Sequence, residues 1–298
     1  MYKRMLVPLD GSKLAGIAIS YAKHLAVRLK GIEVVLLHVC YPYKKSLVPM
    51  HKAYIEHAAD TVRRQIEEGM AVKVRGELLA GYPADEILRY IEKKNIDLVL
   101  MATHGRSGIN LWATGSVAYK VLRSSKIPIC LVRAGVTEEM ITDRAQGSKI
   151  LVPLDGTKLA ELVLPHVQEL VKQLGADKME VVLVRVCEPP VVSSGYPSVV
   201  SMGWEEHVAK EKIKCRLVAG VYLAEVGKRL KDAGLRVNTE VLTGQPSEEI
   251  IDYASKKHIN LVVMATHGRS GISRWAYGSV AEQVMLGTFT PVMLVGHH

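Results

Sequence analysis

The chain has 298 residues, 48% of them hydrophobic and only one of them phenylalanine, so its interior is aliphatic. That length suits two domains of about 150 residues each, and an interior of Val, Leu and Ile favours alternating helices and strands over an all-β architecture. The formal net charge of +9 would attract polyanions in general. The basic residues, however, are spread along helices beside acidic ones, as at Arg63, Arg64, Glu67 and Glu68, which is the pattern of a solvated face and not of a nucleic-acid-binding arm.

Cys40, Cys130, Cys187 and Cys215 stand apart, with no CxxC and no Cys/His cluster at metal spacing, so the expectation is a reduced compartment and no metal centre built by the protein alone. No run of about 18 apolar residues occurs and no charged-then-apolar leader opens the chain. The expectation is a soluble cytoplasmic protein engaging neither nucleic acid nor membrane. His297 and His298 are native or the stub of a tag and are set aside.

Residues 2–9 read as a buried strand that ends in Pro8, Leu9, Asp10, Gly11 and Ser12, ahead of an amphipathic helix over about 14–29. A second strand over 33–39 precedes a loop at 40–50, with Pro42 and Pro49, and a long helix over about 51–68. The third strand is 72–79; then Gly81, Tyr82 and Pro83 turn the chain, with Pro83 opening a helix over 84–94. The fourth strand (96–101) leads through a glycine loop to a helix at 116–124 and a fifth strand at 128–132. Five strands alternating with four helices specify an α/β fold: a doubly wound parallel sheet of order 3-2-1-4-5 with helices on both faces. Residues 134–147 lack hydrophobic periodicity, carry mixed charge and end at Gly147, and so read as a linker between a first domain at 1–133 and a second at 148–298.

The plan then restarts. LVPLDG at 6–11 returns letter for letter at 151–156, and MATHGRSGINLWATGS at 101–116 returns as MATHGRSGISRWAYGS at 264–279. The second copy carries a longer stretch between Val186 and Gly244, with Pro189, Pro190 and Pro197 in a loop before a helix over about 204–233. Two copies of one loop imply two copies of one site.

In open α/β sheets ligands lie beyond the strand carboxyl ends, where the strand order reverses. Asp10 and the Gly105 loop then face one crevice, and Asp155 and the Gly268 loop a second. A loop joining a strand to a helix N-terminus offers backbone N–H groups to a phosphate. Gly105, Gly108 and Gly115, repeated as Gly268, Gly271 and Gly278, allow close approach, while Ser116 and Ser279 add hydroxyls. Asp10 and Asp155 are read as ligands for a ribose hydroxyl or a metal, or alternatively as turn and helix-capping residues. His38 with Val39, and Arg185 with Val186, form a wall whose backbone suits a purine. A nucleoside phosphate meets all three features. Arg106 and Arg269 are candidate phosphate partners or solvated loop charges; His104 and His267 are read as packing within their loops, and Trp112 and Trp275 as anchors.

The two copies resemble the universal stress protein family in a tandem two-domain form. Its nucleotide-binding members are described by G-x2-G-x9-G-[S/T], and the register here is Ala102-x2-Gly105-x9-Gly115-Ser116 and Ala265-x2-Gly268-x9-Gly278-Ser279, with alanine at the first glycine. The resemblance implies a Rossmann-like fold and a stress-response regulatory protein, not a dedicated enzyme, with ATP or ADP and Mg²⁺ in each domain. By position, Asp10 and Asp155 would contact ribose, and Val39 and Val186 would meet adenine through their backbone. Gly105, Gly115, Ser116, Gly268, Gly278 and Ser279 would hold phosphates. Pro8, Leu9 and Val117, with Pro153, Leu154 and Val280, complete the linings. The resemblance also implies pairing of the two domains through their fifth strands, 128–132 against 291–295, any homodimer being built on top of that pair. Two rivals stay open: a slow ATPase or phosphotransferase using the same crevice, although GxxxxGK[ST] is absent, and a scaffold that binds no nucleotide because of Ala102 and Ala265.

Overall fold

The computed structural model describes residues 1–29, 31–43, 45–66, 72–103, 115–133, 135–146, 148–189, 201–266 and 278–296. The first half runs β1 (Arg4–Leu9), α1 (Lys13–Arg28), β2 (Glu33–Cys40), α2 (Val48–Gln65), β3 (Lys73–Ala80), α3 (Pro83–Lys93), β4 (Leu98–Ala102), α4 (Ser116–Ser124) and β5 (Ile129–Val132). After α5 (Glu138–Gln146) the second half repeats the plan. It runs β6 (Lys149–Pro153), α6 (Leu164–Leu174), β7 (Glu180–Cys187), α7 (Ser201–Asp232), β8 (Arg236–Thr243), α8 (Pro246–Lys256), β9 (Leu261–Ala265), α9 (Ser279–Gly287) and β10 (Val292–Val295).

The inner strands are apolar on both faces because helices cover both. Met5, Leu6 and Val7 of β1, and Val34 to Leu37 of β2, are all fully buried, as parallel strands between two helical layers must be. Alternate residues feed two cores: Met5, Val7, Val34 and Leu36 pack with α1 and α2, while Leu6, Val35 and Leu37 pack with α3 and α4. Burying each such Val or Leu side chain contributes about 1.5–3 kcal/mol.

The strand order is β3-β2-β1-β4-β5-β10-β9-β6-β7-β8, a single ten-stranded sheet. Each half has the order 3-2-1-4-5 and is parallel throughout. The halves join where β5 meets β10 antiparallel, with Ile129 opposite Leu294, Cys130 opposite Met293 and Leu131 opposite Val292. That one antiparallel contact reverses the strand direction, so the carboxyl ends of β1 and β4 point to one end of the sheet and those of β6 and β9 to the other. The N-terminus crosses between the halves. The Tyr2 N–H donates to Gln173 Oε1 at 3.0 Å, Gln173 Nε2 donates back to the Tyr2 carbonyl at 2.7 Å, and the Tyr2 hydroxyl meets His166 Nδ1 at 3.1 Å. Burial, followed by the nearby Glu169 carboxylate, pushes the Tyr2 phenol above its ordinary range.

Two segments depart from the sequence reading. The helix expected from residue 51 begins at Val48, because Pro49 occupies the first turn, where a missing N–H costs nothing. Residues 134–147, read as a linker, contain α5, which packs on α1 with Ile141 buried and Val136 buried just ahead of it. Its Thr142 hydroxyl lies 3.3 Å from His24 Nε2. A nine-residue helix with so little buried surface leaves no period to read.

α2 lies so close on β3 that a Cβ at Gly76 would stand 2.8 Å from the Ile55 carbonyl oxygen, a backbone atom that cannot step aside. In the second half Thr239 holds the matching position of β8, and Gly227 of α7 packs against its methyl two turns along the helix from Ala219, the counterpart of Ile55. Gly76→Ala is therefore expected to cost about 1–3 kcal/mol and to lower the melting temperature by several degrees in thermal denaturation, whereas Gly16→Ala, with open space around it, is expected not to lower it.

Candidate functional site

Two cavities of nearly equal size, about 290 and about 280 Å³, sit at matching places in the halves. The first lies beyond the carboxyl ends of β1 and β4, the switch point of the strand order, and the second beyond β6 and β9.

One wall of each is the turn after the first strand of the half. Asp10 Oδ1 accepts the Ser12 N–H at 2.9 Å, and Ser12 Oγ accepts the Ala15 N–H at 3.2 Å to cap α1. In the second half Asp155 Oδ1 accepts both the Thr157 N–H at 2.9 Å and the Thr157 hydroxyl at 2.6 Å, and Thr157 Oγ1 accepts the Ala160 N–H at 3.1 Å. Gly11 and Gly156 carry φ of +81° and +90°, which this turn requires. Each aspartate is thus a turn residue, and the turn fixes it on the cavity wall.

The opposite wall is a helix start. Gly115 and Gly278 are the N-caps of α4 and α9 and supply no side chain, and among the described residues no side-chain cap closes either helix. Their own N–H groups are spent inside the fold, Gly115 donating to the Thr103 carbonyl at 2.8 Å and Gly278 to the Thr266 carbonyl. Among the described residues, the donors facing each cavity are the amides that follow, at Ser116 and Val117 and at Ser279 and Val280, where the helix dipole favours an anion. Pro8, Leu9 and Val39 line the first cavity, and Pro153, Leu154 and Val186 the second.

Ala102 and Ala265 end β4 and β9, in register with Val132 and Val295. Among the described residues only Asn95 and His258 are non-glycine residues with positive φ, so alanine carries no backbone strain at either place. Gly105, Arg106, Gly108, Gly268, Arg269 and Gly271 lie outside the described residues, as do His104, His267, Trp112 and Trp275.

The sequence reading missed His51. Aligning the buried residues Ile55, Ala59, Val62 and Ile66 of the first half with Ala219, Leu223, Val226 and Leu230 of the second puts His51 on Cys215. Both residues tie the helix to the end of the second strand of the half, by different chemistry. In the first half His38 Nδ1 lies 2.7 Å from the Leu9 carbonyl oxygen and so must carry a proton, while His38 Nε2 lies 2.8 Å from His51 Nδ1. With both rings neutral, His51 Nδ1 donates to His38 Nε2 and His51 Nε2 is left as an acceptor; that atom is buried without a partner among the described residues. In the second half Cys187 and Cys215 form a disulfide with Cα atoms 6.0 Å apart. This corrects the expectation of four isolated thiols: a separation of 28 residues has no motif to announce it.

The rims differ too. Tyr41 stacks on Tyr43 at 5.4 Å and meets Tyr82 edge-on at 6.2 Å beside the first cavity, whereas the matching positions of Tyr41 and Tyr82 in the second half hold Glu188 and Gln245.

Cys40 and Cys130 are buried thiols, and burial pushes the Cys130 thiol up to about 12. Iodoacetamide is therefore expected to label no cysteine of the native protein, two after unfolding without reductant and four after unfolding with it, read by mass spectrometry. Four labelled residues without reductant would rule out the Cys187–Cys215 bond.

The fold and paired crevices define a tandem doubly wound α/β protein. The model of the universal stress protein family matches residues 1–133 and 148–296, and the chain belongs to that family. Universal stress protein MJ0531 of Methanocaldococcus jannaschii is 32% identical over 147 residues, covering 49% of this chain and 81% of the relative. Universal stress protein Rv2623 of Mycobacterium tuberculosis is 24% identical over 306 residues, covering 97% of this chain and 95% of its own. In solved structures, the fold is similar to that of a universal stress protein from Archaeoglobus fulgidus, with a TM-score of 0.69 at 20% identity, covering 99% of this chain and 98% of the other.

Proposed function

We propose that this tandem universal stress protein binds adenine nucleotide, ATP or ADP, in both cavities and acts as a nucleotide-responsive regulatory module. The observation that carries this is the repeated pairing of a fixed carboxylate with an uncapped helix start across one cavity. In this reading residues 1–133 and 148–298 are two binding domains joined by 134–147. The carboxylates of Asp10 and Asp155 accept ribose hydroxyls, the ends of β2 and β7 offer backbone to the base, and the amides after Gly115 and Gly278 receive phosphate oxygens. Asp10 is the only acidic side chain lining the first cavity among the described residues. Mg²⁺ would therefore be carried mainly by the phosphates, its usual mode of binding. The differing rims give the two sites unequal affinities.

Calorimetric titration with Mg·ATP is expected to give about two sites per chain. A hydrogen bond to a charged group contributes about 1.5–3 kcal/mol, so Asp10→Ala together with Asp155→Ala should weaken binding by roughly tenfold to a hundredfold. Unchanged affinity in the double variant would remove the aspartates from the site, and absence of heat with the unaltered protein would remove the nucleotide.

A further inference from the structure

The 32 residues of α7 make a helix about 48 Å long, packed on β7 and β8 by Ala219, Leu223, Val226 and Leu230. The opposite face is not polar, as a surface helix ordinarily would be. Ile213 is 60% exposed, Leu217 66% and Val221 71%, with Val218 beside them at 55%. Ile213, Leu217 and Val221 recur at helical spacing and form one apolar stripe pointing away from the protein.

Charges extend the stripe at both ends. Glu206 and Lys210 lie on it toward the N-terminus, and Ala224 and Lys228 toward the C-terminus, all exposed. These positions are arranged symmetrically about Leu217. When a second α7 is laid antiparallel on the first with the two-fold axis through Leu217, Leu217 meets Leu217, and Ile213 meets Val221 of the second copy. Glu206 meets Lys228 of the second copy and Lys210 meets Ala224, so each charge faces either its opposite or a small residue and no like charges are opposed. Gly220, with open space around it, meets Lys214 and gives that side chain room.

We propose that the exposed face of α7 is a self-association surface on which a second copy of this chain docks antiparallel, with Leu217 on the two-fold axis. This isologous contact is closed, as two-fold symmetry requires. It involves neither cavity, and it leaves the β5–β10 joint within each chain intact. From Glu206 to Lys228 the stripe is about 33 Å long and about 10 Å wide, well under the roughly 800 Å² per partner of a standard interface. The dimer is accordingly of the weak, concentration-dependent kind, with a dissociation constant in the micromolar range.

Sedimentation velocity on the full chain across that range is expected to show monomer and dimer in exchange. Leu217→Glu, which sets two carboxylates against each other on the axis, should raise the dissociation constant by about a hundredfold. Glu206→Lys should weaken the dimer, and Glu206→Lys with Lys228→Glu should restore it. Register is read by cross-linking. Under mild oxidation Leu217→Cys alone should give disulfide-linked dimers. Ile213→Cys and Val221→Cys should each fail alone and link when mixed.

The unaltered chain remaining monomeric throughout, a dimer indifferent to Leu217→Glu, or equal cross-linking by all three cysteine variants would overturn the proposal. So would a monomer that binds anionic phospholipid vesicles and loses that binding with Leu217→Glu, since the stripe would then face a membrane surface.

Discussion

The antiparallel ladder between β5 and β10 is the contact on which the remaining architecture depends. Both strands are short and buried along their length, and each alone would present an apolar edge ready to pair with another chain. Pairing them within one chain removes both edges at once. The edges that remain, β3 and β8, carry Lys73, Arg75 and Glu77 and Arg236 and Glu240, charges that discourage further strand addition. The same ladder reverses strand direction and so sends the two cavities to opposite ends of the sheet.

Within that frame the halves have kept positions and changed chemistry. The turn bearing Asp10 or Asp155 and the helix start after Gly115 or Gly278 are nearly identical. The fastening of the long helix to its strand is a histidine pair in one half and a disulfide in the other. That exchange keeps the attachment by means of different atoms.

Much of this was legible in the sequence because it depends on local pattern or verbatim repetition. Continuous Val, Leu and Ile runs between glycine or proline turns mark buried parallel strands, and the repeated LVPLDG placed both aspartates where they stand. Three features were not legible, each for its own reason. α5 is short and buries few residues, so it has no period. His51 sits among the core positions of an amphipathic helix, and nothing nearby in sequence points to His38. Cys187 ends β7 and Cys215 lies several turns into α7, 28 residues on, so nothing local in the sequence pairs them. Nor did the sequence announce that the Gly115 N–H donates to the Thr103 carbonyl.

The crossing from β5 to β6 bears on what motions are open to the protein. A chain joining two halves ordinarily acts as a hinge, and domain closure around a ligand needs one. Here the crossing is folded into α5 and held on α1, while Tyr2 and Gln173 clasp the halves beside it. With the sheet continuous through both halves, rotation of one against the other would have to break ladder hydrogen bonds and expose core. A ligand bound in either half would therefore act through segments at the cavity mouths rather than by bending the sheet.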